Sequence, residues 1–208
     1  ELGHDYKYNI GSLNPCGCGG YDCIEYFVSG NGASDMAGRY LKVNRDPDHS
    51  IIKMALKNMN EVNRKLNEFD NNGRPVFEDK DLEKTEVYEA AIRFIEGKHV
   101  YSAFKNAPDM LPQMVIQKVQ SEAIPYSFGH ILSACRHPDG DVEVFGLMGG
   151  LTKDKKCLFD PAIEQFMNNP QLYMHGGINT PDKIVYCNEN IGFHGAAAYV
   201  FNRNKSFN

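Results

Sequence analysis

Three cysteines within one short stretch constrain the start of this chain more than any other feature. Cys16, Cys18 and Cys23 lie in a glycine-rich segment, and His4 precedes them. Three thiolates and one imidazole match the tetrahedral shell that zinc prefers. The two glycines after Cys18 let the backbone turn back toward Cys23. The spacing therefore predicts an irregular loop around a structural zinc ion, and the alternative is three reduced cysteines beside an unrelated histidine.

The remaining cysteines, Cys135, Cys157 and Cys187, are isolated in the sequence. A secreted disulfide scaffold is shorter and more evenly cross-linked. We therefore expect buried thiols in a reducing compartment and a cytoplasmic protein. The polar residues 1–14 contain no apolar core of a signal peptide.

The composition is that of an ordinary globular protein, with 208 residues, 42% hydrophobic and 24% charged. No apolar run approaches the roughly 20 residues that a membrane-spanning helix needs. The net charge is −5, and lysine and arginine are scattered along the chain. This pattern argues against a membrane protein and against a nucleic-acid surface on this segment.

Helical periodicity dominates the middle of the chain. Apolar residues recur at spacings of three and four from Ser50 to Phe69, which predicts an amphipathic helix with Phe69 facing inward. We expect further helices from about residue 25 past 37, from 81 to 96 with Gly97 closing it, and from 112 to 135. Pro125 should kink or break the last of these. Residues 70–80 are expected to form a flexible loop.

The pattern changes after residue 140. The segment 142–148 is short and mostly apolar, and it contains β-branched valines. Gly149-Gly150 follows it, as at the end of a buried strand. A helix is expected around 161–167, further strands at 172–175 and 183–187, and a closely packed helix from 195. Strands that alternate with helices predict an α/β fold.

At this point two motifs resemble those of a known family. Residues 1–4 read E-L-G-H, and residues 16–25 read C-G-C-G-G-Y-D-C-I-E. This order resembles the E-x-G-H and C-x-C-G-x-x-G-C-x-E motifs of the ROK (repressor, open reading frame, kinase) family. Asp22 stands where that family usually has glycine. The resemblance favours a zinc site formed by His4, Cys16, Cys18 and Cys23.

The resemblance continues toward the end of the chain. Residues 145–152, F-G-L-M-G-G-L-T, resemble the strand and glycine-rich turn against which the adenosine of ATP rests in the family. Residues 191–198, I-G-F-H-G-A-A-A, resemble its last helix start. The order and separation of these stretches also fit the family.

The resemblance implies an actin-like ATPase fold with a ribonuclease-H-like core, of which this chain would form the C-terminal half. It divides the chain into a zinc and sugar motif at 1–30, a helical region at 31–138 and an adenosine-side α/β region at 139–208. A homodimer is also implied by the family.

The resemblance further implies residue roles in a sugar site. Glu1, His4 and Glu25 would contact the sugar, because carboxylates accept strong hydrogen bonds from hydroxyl groups. One ring nitrogen of His4 would bind zinc while the other faces the sugar. The alternatives are a solvated terminal residue for Glu1 and a surface carboxylate on a helix for Glu25.

For the nucleotide, the resemblance implies contacts from Gly149, Gly150 and Thr152 to ATP, which is used with magnesium. The reaction would transfer the γ-phosphate of ATP to a hydroxyl group of a hexose or N-acetylhexosamine. The family's D-x-G-G-T phosphate loop and its Asn-Asp pair with the catalytic base precede the E-x-G-H motif. We therefore assign no catalytic base here and expect the isolated chain to be inactive.

Two alternative functions are compatible with the same motifs. Some members of the family are sugar-sensing transcriptional repressors with an upstream helix-turn-helix. A free-standing, zinc-stabilised sugar-binding domain is the third interpretation. An upstream phosphate loop would favour the kinase, and an upstream helix-turn-helix would favour the repressor.

Overall fold

The structure, a computed structural model, describes residues 14–70, 73–108, 110–134, 144–147, 158–168 and 183–186. Most of these residues are helical, and two short strands form a parallel pair. The chain divides into two compact units, Glu1–Ser127 and Phe128–Asn208. The described residues are therefore mostly helical with one small parallel sheet, and the predicted actin-like ATPase fold stays a prediction.

The elements are numbered in chain order. The α-helices are α1 (Ile24–Val28), α2 (Gly30–Val43), α3 (Ser50–Asp70), α4 (Thr85–Ile92), α5 (Gly97–Asn106), α6 (Gln113–Ala134) and α7 (Phe159–Asn168). A 3₁₀ helix covers Asp79–Glu83. The strands are β1 (Val144–Leu147) and β2 (Lys183–Tyr186).

Helix α3 confirms the periodicity of residues 50–69. Its inward side chains Ile52, Ala55, Leu56 and Met59 are buried. Phe69, predicted to face inward, is 86% exposed. The last turns of α3 extend beyond its buried positions, so the apolar period continues where little packs against it.

Two predicted helices are divided in the structure. The first is broken at Ser29, whose hydroxyl oxygen accepts a hydrogen bond from the Gly32 N–H at 3.0 Å and so caps α2. The second, predicted for 81–96, becomes the 3₁₀ helix and α4. Gly97 begins α5 instead of closing a helix. Glycine is required there, because a Cβ would lie 2.8 Å from the backbone of Gly30.

Helix α6 runs through Pro125 without a break, contrary to one of the two predicted outcomes. Proline removes one backbone hydrogen bond and crowds the preceding turn. The neighbouring side chains of Ala123, Ile124 and Phe128 are buried. Their burial offsets the loss of that hydrogen bond.

The segment 73–78, expected to be a flexible loop, is fastened to α3 by asparagine side chains. Asn60 exchanges two hydrogen bonds with the backbone of Phe77, at 2.7 and 3.0 Å. Asn67 does the same with Arg74, at 3.0 and 2.7 Å. The spacing of these side chains on one helix face gives the extended segment its backbone partners.

In the second unit, β1 and β2 pair in parallel with Val144 opposite Lys183 and Leu147 opposite Tyr186. The Tyr186 hydroxyl donates to Asp160 of α7 at 2.6 Å. Both strands lie within the ranges predicted for them. The predicted strand at 172–175 and the predicted helix from 195 lie outside the described residues.

Candidate metal centre and adjoining cavity

A short hairpin carries the cysteine motif. Pro15 and Tyr21 form an antiparallel bridge, and the Cys16 N–H donates to the Gly20 carbonyl at 2.8 Å. The Gly19 N–H closes the turn by donating to the Cys16 carbonyl at 2.9 Å. Gly19 has a φ of +85°, which a residue with a Cβ rarely adopts. The predicted glycine turn is therefore confirmed at Gly19.

The hairpin brings the sulfurs of Cys16, Cys18 and Cys23 together. These three Sγ atoms lie within 4.8 Å of one another, and those of Cys18 and Cys23 are 3.6 Å apart. Thiolates bound to a tetrahedral ion at about 2.3 Å would be separated by roughly 3.8 Å. The donor set and its spacing therefore suit a metal ion, and the cluster can hold one.

Electrostatics favour a cation at this cluster. The Cys18 backbone N–H lowers the pKa of Cys16, but burial and hydrogen bonds with the Cys18 and Cys23 thiols outweigh it, so that the pKa of Cys16 is raised. Without a cation, three neighbouring thiolates repel one another. A bound divalent ion reverses this balance, because it stabilises the deprotonated sulfurs. The Gly20 N–H also points to the Cys18 sulfur at 3.4 Å.

Asp22 anchors the hairpin. It stands at the position where the ROK motif that this stretch resembles usually has glycine. Its φ is +54°, in the left-handed region that glycine and, less readily, aspartate adopt. Its buried carboxylate accepts hydrogen bonds from the Asn14 N–H at 2.9 Å and from the Asn14 side-chain amide at 3.0 Å. The departure at this position therefore preserves a tight turn and adds a link across the base of the hairpin.

Arg39 of α2 connects this base to the helices. Its guanidinium donates to the Asn14 side-chain oxygen at 3.4 Å and forms an ion pair with Asp35. It also lies over the ring of Tyr26, 5.7 Å from the centroid. The cysteine hairpin is thus held against α1 and α2 by polar contacts as well as by the burial of Cys23.

A cavity of about 540 Å³ opens beside the cysteines. Of the three predicted sugar-binding residues, Glu25 lies within the described part of the chain. It lines the cavity from the first turn of α1. The cavity is lined by Pro15, Cys16, Gly17, Cys18, Glu25, Tyr26, Ser29, Asn31, Gly32 and Asp35. The structure therefore brings Glu25 and the cysteine hairpin to one concave site.

The break between α1 and α2 shapes the cavity wall. A Cβ on Gly32 would lie 1.5 Å from the Tyr26 carbonyl oxygen, so only glycine fits there. The Ser29 carbonyl accepts a hydrogen bond from the buried Gln120 of α6 at 3.2 Å. The Gln120 side-chain oxygen in turn accepts from the Tyr101 hydroxyl at 3.0 Å. These contacts fix the turn that presents Ser29 and Asn31 to the cavity.

Several predicted site residues lie outside the described part of the chain. These are Glu1 and His4 of the sugar and metal motif, and Gly149, Gly150 and Thr152 of the nucleotide motif. Strand β1 ends at Leu147, two positions before the predicted glycine turn. The roles assigned to these five residues therefore stay predictions.

Sequence reasoning missed the residues that support the site. Asn14, Asp35 and Arg39 carry no motif by themselves. One signal was present, because Asp35 and Arg39 stand four positions apart in a helix, the spacing at which opposite charges pair. The link from Arg39 to Asn14 joins residues 25 positions apart, which no local pattern indicates.

Comparison of the chain with models of protein families, with curated proteins and with solved structures finds no match. Among the described residues, no helix combines the length and apolar character needed to cross a membrane.

Proposed function

We propose that this chain is the sugar-binding part of an ATP-dependent sugar kinase of the ROK type. The observation that carries the proposal is the position of Glu25 in a cavity that adjoins the three clustered cysteines. The motif resemblance implies that a metal-organised loop and a carboxylate form one sugar site. The described position of Glu25 beside the cysteine cluster supports this proposal.

The metal in this proposal is zinc, held by Cys16, Cys18, Cys23 and His4. Soft thiolate ligands favour zinc over magnesium or calcium. Four protein ligands would leave no open position, so the ion has a structural role. It would fix the hairpin and orient the imidazole of His4, whose second nitrogen would then be available to a sugar hydroxyl group.

The binding chemistry follows from the ligand types. The carboxylates of Glu25 and Glu1 accept hydrogen bonds from sugar hydroxyl groups, and such charge-assisted bonds are the stronger ones. In the proposed actin-like fold, Gly149, Gly150 and Thr152 would lie beside the adenosine and ribose of Mg-ATP. Phosphoryl transfer relies mainly on positioning and charge neutralisation. The catalytic base is expected in the segment that precedes the E-x-G-H motif of the family.

The test uses the full-length protein as its gene encodes it, together with zinc and Mg-ATP. A coupled assay with a panel of hexoses and N-acetylhexosamines should detect ATP-dependent phosphorylation. Glu25→Gln should raise KM for the sugar at least tenfold, because a neutral amide replaces a charged acceptor. Glu89→Gln, an exposed carboxylate on α4, serves as the matched control and should leave KM unchanged.

Two outcomes would contradict the kinase. Sugar binding without phosphorylation, together with specific binding to DNA, would favour the sugar-sensing repressor. Absence of both sugar binding and phosphorylation across the panel would remove the sugar site itself. The zinc content of the protein is measured in the same experiments, because it reports on the cysteine cluster independently of activity.

A further inference from the structure

We infer that Asp35 is a second sugar-binding carboxylate and that it restricts the cavity to neutral polyhydroxyl ligands. The inference rests on the proposed function, because it concerns the same cavity. The motif resemblance assigns no role to Asp35. The inference therefore comes from the geometry of α2 relative to the cysteine hairpin.

Asp35 lines the cavity from α2, and Glu25 lines it from α1. The Tyr26 hydroxyl donates to Oδ2 of Asp35 at 2.7 Å, and Arg39 donates to the same oxygen. Both donors fix the plane of the carboxylate before a ligand arrives. A group held in this way loses little conformational entropy when it accepts a further hydrogen bond.

The charges around the cavity select the class of ligand. Among its lining residues, Glu25 and Asp35 are carboxylates and none is lysine or arginine. Zinc with three thiolates and a neutral imidazole would add a formal charge of −1. An anionic sugar would therefore meet a net negative charge, which the pairing of Arg39 with Asp35 reduces only in part. The hydroxyl groups of a neutral sugar can instead donate to the carboxylates.

The other polar groups also suit hydroxyl groups. The Asn31 side chain offers both donors and an acceptor, and Ser29 contributes a hydroxyl group to the same wall. The volume of about 540 Å³ lies within the range of small-molecule sites, roughly 300–1,000 Å³. The site thus has acceptors in excess, and the matching ligand is rich in donors.

The experiment is calorimetric binding to the zinc-loaded, full-length protein. The probes are neutral hexoses and N-acetylhexosamines, the corresponding uronic acids and hexose 6-phosphates. Wild-type protein should bind a neutral sugar at least tenfold more tightly than its uronic acid. Asp35→Asn should weaken binding of the neutral sugar about tenfold and reduce the discrimination against the uronic acid. Asp48→Asn, an exposed carboxylate elsewhere, should change neither value.

A purely structural role for Asp35 predicts a different result. Tyr26→Phe removes one of its hydrogen bonds but keeps both carboxylates in the cavity. If Tyr26→Phe and Asp35→Asn lower stability alike and neither alters the ratio of the two affinities, the inference is overturned. If wild-type protein binds neutral sugars and Asp35→Asn matches the control, the proposed function stands without this inference. If no sugar binds, both fail.

Discussion

At the scale of single residues, Asp22 shows how one side chain can occupy a tight turn and add hydrogen bonds to it. The backbone there adopts a φ of +54°, which glycine accepts without cost. Aspartate accepts the conformation less readily, but its carboxylate bridges the two ends of the hairpin through Asn14. Cys23 follows directly, so this anchor helps to position one sulfur of the cysteine cluster.

Replacing Asp22 separates the two effects. Asp22→Ala loses both hydrogen bonds and keeps an unfavourable φ, so we expect a loss of about 2–4 kcal/mol in the free energy of unfolding. Asp22→Gly loses the bonds but accepts the φ, and its loss should be smaller by about 1 kcal/mol. Urea unfolding of the zinc-loaded protein measures both. Equal losses would show that the backbone conformation contributes nothing at this position.

At the scale of elements, helix α5 begins with a side-chain arrangement that requires a neutral histidine. The buried Nδ1 of His99 accepts a hydrogen bond from the Glu96 N–H at 3.1 Å. Burial and the nearby Lys98 lower the pKa of His99, against the opposing effect of Glu96. An acceptor nitrogen cannot carry a proton, so acid removes this cap.

The pH dependence of stability follows from the direction of that shift. The folded pKa of His99 lies below its unfolded value of about 6.5. The unfolded state then binds more protons, so the contribution is fully present above the unfolded pKa and is lost as the pH falls through the folded one. In His99→Gln, whose amide oxygen can still accept, the decline in stability between pH 7.5 and 5 should be shallower. The free energy of unfolding of both proteins is measured by urea unfolding across this pH range. An equally steep decline in the two proteins would contradict the prediction.

The elements also show which parts of this molecule a sequence can predict. The apolar period located α3 almost to the residue, because burial of one face decides that helix. It missed the break at Ser29 and the start of α5 at Gly97, because apolar periodicity does not register the local caps there or the contacts with segments distant in sequence. The same reason separates Glu25, which a local motif indicates, from Asp35, whose place in the cavity depends on how α2 packs.

At the scale of the whole molecule, a metal ion would couple local order to overall stability. The cysteine hairpin belongs to the first compact unit, Glu1–Ser127. Metal that binds the folded chain in preference to the unfolded chain raises stability in proportion to the logarithm of its free concentration. In this unit the hairpin connects through Arg39 to α2 and through Cys23 to α1.

Metal removal should therefore act first on the hairpin and α1. The purified protein should contain about one zinc per chain, and Cys18→Ser should lower both the zinc content and the melting temperature. After treatment with a chelator, hydrogen exchange at the amides of Cys16 and Gly19 should accelerate at least tenfold more than exchange at the Phe77 amide, which Asn60 holds. Cys18→Ser should reproduce this pattern without chelator. A protein that is free of metal as purified, with exchange rates that zinc does not change, would show that the three sulfurs are a reduced cysteine cluster and that the hairpin is stable without an ion.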